Sequence, residues 1–76
     1  MNLATQHIYL MFDIHYRFIQ HIGTVKILIQ KERDIEKWKN PDLVKQEAID
    51  FYKSETPQYK EQKLMAFYTG DFIPYV

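Results

Sequence analysis

The fold of this chain is decided by residues 7–18, HIYLMFDIHYRF, in which large apolar side chains occupy every even position. The apolar ridge consists of Ile8, Leu10, Phe12, Ile14, Tyr16 and Phe18. The odd positions include the polar residues His7, Asp13, His15 and Arg17. Because side chains of an extended chain alternate between two faces, a repeat of two places the apolar ridge on one face only. The pattern therefore predicts a long β-strand, since the same residues would form no stripe on a helix.

A β-hairpin is predicted to follow from this strand. The first strand runs from about His7 to Gln20, the turn lies at Gly23-Thr24, and Val25 to Gln30 forms the second strand. Glycine at the first central position suits a two-residue type II′ turn. In this register Phe18 faces Ile29, so the apolar sets of the two strands share a face.

The other face of the same hairpin is predicted to carry mostly polar pairs. The register places His15 opposite Glu32, Arg17 opposite Gln30 and Ile19 opposite Leu28. This face is the outer face of the hairpin.

The rest of the chain predicts a helix and a second hairpin. A short helical turn is expected within Lys31 to Lys39, and a helix begins at Asn40-Pro41-Asp42 and stops before Thr56-Pro57. Its apolar stripe comprises Leu43, Val44, Ala48, Phe51 and Tyr52. Residues 57–69 fit a strand or a helix; we favour a strand from Leu64 to Thr69, with a hairpin loop at Gly70-Asp71 and an edge strand marked by Pro74.

These elements predict an α+β fold in a single domain, residues 1–76. The expected architecture is a small antiparallel sheet, in the sequence order β-β-α-β-β, with one main amphipathic helix packed on one face. A chain of 76 residues buries only about 60% of its unfolded surface, so it needs tight packing or self-association.

Composition excludes several classes of function. The chain has no cysteine, which excludes disulfides and thiolate metal sites. Ten basic and ten acidic residues cancel, so no net field steers the chain toward phosphate backbones. With no signal peptide pattern and no run of about 20 apolar residues, we expect a cytoplasmic protein. Small size and AT-biased residue usage fit a phage, mobile-element or bacterial origin.

His15 is the residue most open to a chemical interpretation. Asp13 and Arg17 share its predicted face, and a carboxylate beside an imidazole can orient a general acid or base. A small hydrolase or nuclease using His15 is therefore an alternative, but no nucleophile or glycine-rich loop accompanies it, and we expect no catalytic residue. We also expect no cofactor and no metal site, because about 26 Å of extended chain separates His7 from His15.

The apolar members of the outer face predict an interaction surface. Tyr9, Met11, Ile19 and Leu28 interrupt the polar row, and a single helix can cover only the opposite face. Trp38 could add an anchor, although a tryptophan at a helix end more often closes a core. The predicted partner-binding residues are Tyr9, Met11, His15, Arg17, Ile19, Leu28 and Trp38.

We therefore expect a small protein-interaction module, a regulatory or inhibitory factor that occupies a partner's surface, and not an enzyme. The partner is another protein or a second copy in a homodimer, and no membrane is involved. The alternative is a protein that binds single-stranded nucleic acid, stacking bases on Tyr9 and His15 beside Arg17 and Lys26.

Overall fold

Within the part of the chain that the structure describes, three antiparallel strands form the sheet. A computed structural model of the chain describes residues 7–17 and 19–74, with all of their side chains except those at 72 and 74. The central strand β1 (His7–Tyr16) lies between β2 (Gln20–Gln30) and β3 (Leu64–Pro74). The α+β class and the antiparallel sheet are confirmed, but the sequence order is β-β-α-β, because β3 is one continuous strand.

The helical layer lies between β2 and β3 in sequence. It contains α1 (Ile35–Lys39), a 3-10 turn at Pro41–Val44 that continues into α2 (Lys45–Glu55), and a second 3-10 turn at Pro57–Tyr59. The start after Asn40 and the end before Thr56-Pro57 are as the sequence predicts, although the Asn40 side chain makes no capping hydrogen bond. Within the described residues, no helix is long and apolar enough to cross a membrane.

The core lies between the helical layer and the even-numbered face of β1. Phe12, Leu10 and Ile14 have no exposed surface there. The other buried apolar residues are Ile8, Val25, Ile27, Ile29, Val44, Ala48, Leu64 and Ala66. The predicted helix stripe is only partly right, because Leu43 is 59% exposed and Phe51 is 48% exposed.

The predicted position of the first turn is wrong. β1 ends at Tyr16, which pairs with Gln20, and β2 begins at Gln20 itself. The partner of Ile29 is Ile8, while Phe18 lies outside the described residues. The apolar sets nevertheless share a face as predicted, because the true register differs from the predicted one by an even number of residues.

Gly23 lies inside β2, and its role is to let an aromatic ring approach the strand. A Cβ atom at this position would lie 2.6 Å from Cε1 of Tyr52. The hydroxyl of Tyr52 donates a hydrogen bond to the backbone oxygen of Ile22 at 3.1 Å. The register of β1 and β2 is irregular here, since Ile14 pairs with Gly23 but His15 pairs with His21. Ile22 is thus an extra, bulged residue that rotates His21 onto the outer face.

The predicted hairpin loop at Gly70-Asp71 is also wrong. Leu10 pairs with Phe72 and Phe12 pairs with Tyr68, so the residues between them form a bulge within β3. Gly70 has a φ of +88°, a conformation that other residues adopt at a cost. The strand interpretation of residues 64–69 is confirmed, and β3 is an edge strand, as Pro74 indicates.

The molecule is elongated along the strands. Its principal extents are 42 × 21 × 16 Å and its radius of gyration is 13.0 Å. A compact chain of this length is expected to have a radius of gyration of about 11 Å.

Candidate interaction surface

The outer face is the side of the sheet opposite the helical layer. From β1 it presents His7, Tyr9, Met11, Asp13 and His15; from β2, His21, Thr24, Lys26, Leu28 and Gln30; and from β3, Met65, Phe67 and Ile73. All of these side chains are half-buried or exposed. The residues that alternate with them on β1 and β2 include the buried Ile8, Leu10, Phe12, Ile14, Val25, Ile27 and Ile29.

An apolar row crosses this face. Tyr9 lies between Leu28 of β2 and Ile73 of β3, and Met11 lies opposite Lys26. Leu28 is 46% exposed although it lies within a regular strand. The row therefore combines the residue types that are enriched in protein interfaces, an amphipathic tyrosine and an adaptable methionine, with an exposed leucine.

A cluster of rings and polar groups lies beside the apolar row. The ring of His15 makes edge-on contacts with Phe67 and His21, with centroids 5.0 and 5.4 Å apart. His21 Nε2 lies 3.3 Å from Asp13 Oδ1, and the Thr24 hydroxyl lies 3.4 Å from the same oxygen. The predicted Glu32 neighbour of His15 is wrong, because the turn comes earlier in the chain than predicted; the bulge at Ile22 then places His21 opposite His15.

This cluster lies outside two clefts in the surface of the described residues. One cleft of about 420 Å³ is lined by Tyr16, Arg17, Gln62, Lys63 and Met65. Another, of about 470 Å³, lies beside α1 and the turn before it. Within the described part of the chain, no group of three or more histidine or acidic side chains is placed to hold a metal ion.

Two predicted contact residues lie away from the outer face. Arg17 is in the turn between β1 and β2, with a φ of +54° and its guanidinium 5.2 Å from the centroid of the Tyr16 ring. Ile19 is in the same turn and is 85% exposed. Their predicted partners across the strands, Gln30 and Leu28, pair instead with His7 and Tyr9.

Trp38 packs at the margin of the core, and so lies on the helical side of the sheet. Its indole N–H donates a hydrogen bond to the backbone oxygen of Lys31 at 2.9 Å. The ammonium groups of Lys31 and Lys39 lie 5.9 and 5.7 Å from the ring centroid. The hydrogen bond to Lys31 fixes the indole of Trp38 at the margin of the core.

Asp34 forms a structural site that the sequence did not reveal. Its carboxylate accepts hydrogen bonds from the backbone N–H of Gln30 at 2.9 Å and from Arg33 at 3.0 and 2.8 Å. Hydrogen bonding to Arg33, followed by that to Gln30, lowers the pKa of Asp34 from 3.8 to about 2. Asp34 lies within a run of four charged residues, 31–34. The sequence therefore does not indicate which of the neighbouring groups bind its carboxylate.

The chain was compared with models of known protein families, with curated proteins and with solved structures, and no significant match was found.

Proposed function

We propose that this chain is a small protein-interaction module, a regulatory or inhibitory factor that docks its outer face on another protein. The observation that supports this proposal is the exposed Leu28, which lies in an apolar row with Tyr9 and Met11 while the helical layer covers the other face. Steric occupation of the partner's surface would be its mode of action. A phage or bacterial origin and a cytoplasmic location belong to the same proposal.

The size of the face limits the kind of contact. Three strands about 4.8 Å apart, with nine residues rising about 3.3 Å each, give a face of roughly 400 Å² in projection. Standard interfaces bury about 800 Å² on each partner. The outer face is therefore a small docking surface, and adjoining surface would strengthen a complex.

Nucleic-acid binding is less well supported by the arrangement of charges. The carboxylate of Asp13 lies in the middle of the outer face, where it would repel phosphate, and Arg17 lies in the turn. Catalysis by His15 is also less well supported, because the Asp13 carboxylate expected beside it lies 3.3 Å from Nε2 of His21.

The proposal is tested by matched substitutions in two exposed leucines. Leu28→Asp changes the outer face, whereas Leu43→Asp places the same charge on the helical layer, where the leucine is 59% exposed. Proteins captured from a lysate by the unchanged chain should be retained by Leu43→Asp and lost with Leu28→Asp. If the captured set is the same for both variants, the outer face is not the docking surface.

Self-association on the same face has its own measurement. If the partner is a second copy, light scattering should give a dimer mass for the unchanged chain and for Leu43→Asp, and a monomer mass for Leu28→Asp. A dimer that survives Leu28→Asp contradicts docking through the outer face.

A further inference from the structure

The open edge of β2 offers a second surface, continuous with the outer face. β2 is at the edge of the sheet, so one side of its backbone faces β1, and among the described residues no strand lies on its other side. In an antiparallel pair, alternate residues direct both N–H and C=O toward the partner strand, and the residues between them direct both groups away.

Backbone groups at both ends of this edge are hydrogen-bonded within the chain. At one end, Asp34 accepts the Gln30 N–H through its carboxylate and donates its own N–H to the Gln30 oxygen at 2.8 Å. At the other end, the Tyr52 hydroxyl donates to the Ile22 oxygen. Because both backbone groups of Gln30 are used by Asp34, Gln30 points away from β1.

The same alternation determines which residues between the two ends direct their backbone groups away from β1. Leu28, Lys26 and Thr24 have the same parity as Gln30, and the register is regular from Gln30 to Thr24, so they also point outward. Their side chains lie on the outer face. Within the described residues, no hydrogen bond is made to their backbone groups outside the strand pairing with β1.

The other edge of the sheet is protected in ways that this one is not. β3 is interrupted by its bulge and by Gly70, carries the charge of Asp71, and ends at Pro74. Bulges, charges and proline are the usual devices against strand addition. The segment 24–28, TVKIL, has high β propensity, no proline or glycine, and one charged residue, Lys26.

The charge of Lys26 favours some added strands over others. In the antiparallel self-pairing that uses all three outward residues, Lys26 lies directly opposite Lys26 of the second copy. Like charges directly opposite each other destabilise a strand pair, so this register disfavours a homodimer. A carboxylate at the same place would form a favourable cross-strand pair.

We propose that the β2 edge binds an extended segment of another protein, antiparallel to β2 and with an Asp or Glu opposite Lys26. Three outward residues offer three donors and three acceptors to this segment. The added strand would enlarge the outer face by one strand, which supplies adjoining surface that would strengthen a complex. The inference rests on the proposed interaction role and specifies the conformation and charge of the partner segment.

A charge-swapped copy of the chain is the probe that tests this inference. Lys26→Glu supplies an edge strand with a carboxylate at the required position, and Lys26 is exposed, so the fold should be retained. At concentrations up to about 1 mM, the unchanged chain alone and Lys26→Glu alone should be monomers by light scattering, and their equimolar mixture should approach twice the monomer mass.

The control is Lys60→Glu, which makes the same change of charge at an exposed residue after the second 3-10 turn. Its mixture with the unchanged chain should stay monomeric. The inference is overturned if the Lys26→Glu mixture stays monomeric, if the unchanged chain dimerises alone through this edge, or if Lys60→Glu gives the same dimer.

A proline tests the backbone of the edge directly. Leu28→Pro removes an outward N–H but no hydrogen bond to β1, so the variant should keep its circular dichroism spectrum and lose pairing with Lys26→Glu. Loss of the fold would contradict the outward orientation of Leu28. Tyr9→Ala should weaken docking of the outer face but should still pair with Lys26→Glu. A wrong inference about the β2 edge and a wrong proposal about the outer face therefore give different results.

Discussion

The two faces of β1 carry side chains of similar size but differ in what contacts them. Phe12 on the even face has no exposed surface and belongs to the core, whereas its neighbour Met11 is half-buried opposite Lys26. One strand can therefore stabilise the fold through the residues of one face and present the residues of its other face to a partner. Substitutions on the two faces should therefore separate stability from binding.

The largest expected effect is that of Phe12→Ala. Removing a fully buried aromatic ring leaves a cavity and should lower the free energy of unfolding by about 3–5 kcal/mol. Met11→Ala on the other face should lower it by less than about 1 kcal/mol, because this side chain already contacts solvent. Urea denaturation followed by circular dichroism measures both values. Equal losses would mean that the outer face is as tightly packed as the core.

Gly23→Ala should have the next largest effect. The added methyl group would overlap the Tyr52 ring, and overpacking of this kind costs about 1–3 kcal/mol. In a Tyr52→Ala background, the same substitution should cost much less, which a double-mutant cycle measures by denaturation.

Gly70→Ala is the control for this pair. Apart from its chain neighbours, no atom of the described residues lies within 4 Å of a Cβ built at Gly70, but its φ of +88° strains any other residue. Its cost, of about 1 kcal/mol, should be the same with and without Tyr52. If Tyr52→Ala reduces the loss of stability equally in both glycine variants, close approach of the ring does not explain why a glycine is needed at position 23.

An effect similar in size to that of Gly23→Ala is expected at Asp34, a buried acid, and a smaller effect at Asp13 on the outer face. Asp34→Ala leaves the Gln30 N–H without its acceptor and should cost about 1–3 kcal/mol. Asp13→Ala should cost at most about 1 kcal/mol, because its contact with His21 is solvent-exposed. Thermal unfolding of the two variants at neutral pH makes the comparison.

The pH dependence of Asp34 has a defined sign. Its pKa is lowered from 3.8 to about 2 in the folded chain, so its contribution to stability is complete above about pH 4 and is lost as the pH falls toward 2. Asp34→Asn should remove this part of the acid destabilisation, which urea denaturation between pH 5 and 2 measures against the unchanged chain. An unchanged slope would contradict the assigned bonds.

The period of the sequence predicts the faces of the hairpin but not its register. Alternation from Ile8 to Ile14 and from Val25 to Ile29 correctly assigns the core side, because that assignment depends only on parity. Any even shift keeps the same apolar pairs in contact. Choosing among those shifts requires the position of the turn, and the turn at Arg17 to Ile19 contains no glycine to mark it.

Both glycines of this chain resemble turn residues and are used differently. Gly23 admits the Tyr52 ring and Gly70 allows a bulge, and neither role can be read from neighbouring residues. The outer-face positions of Tyr9, Met11 and Leu28 could be predicted from alternation. The contact between His15 and His21 could not be predicted, since it depends on a bulge that no residue type in the sequence indicates.

The length of the molecule has a practical consequence for any study of assembly. A body 42 Å long and 16 Å thick diffuses more slowly than a sphere of the same 9.3 kDa mass. On a size-exclusion column calibrated with spherical standards, the monomer should elute early, at a volume that imitates a larger species. Absolute mass from scattered light, and not retention, is thus the observable that distinguishes one copy from two.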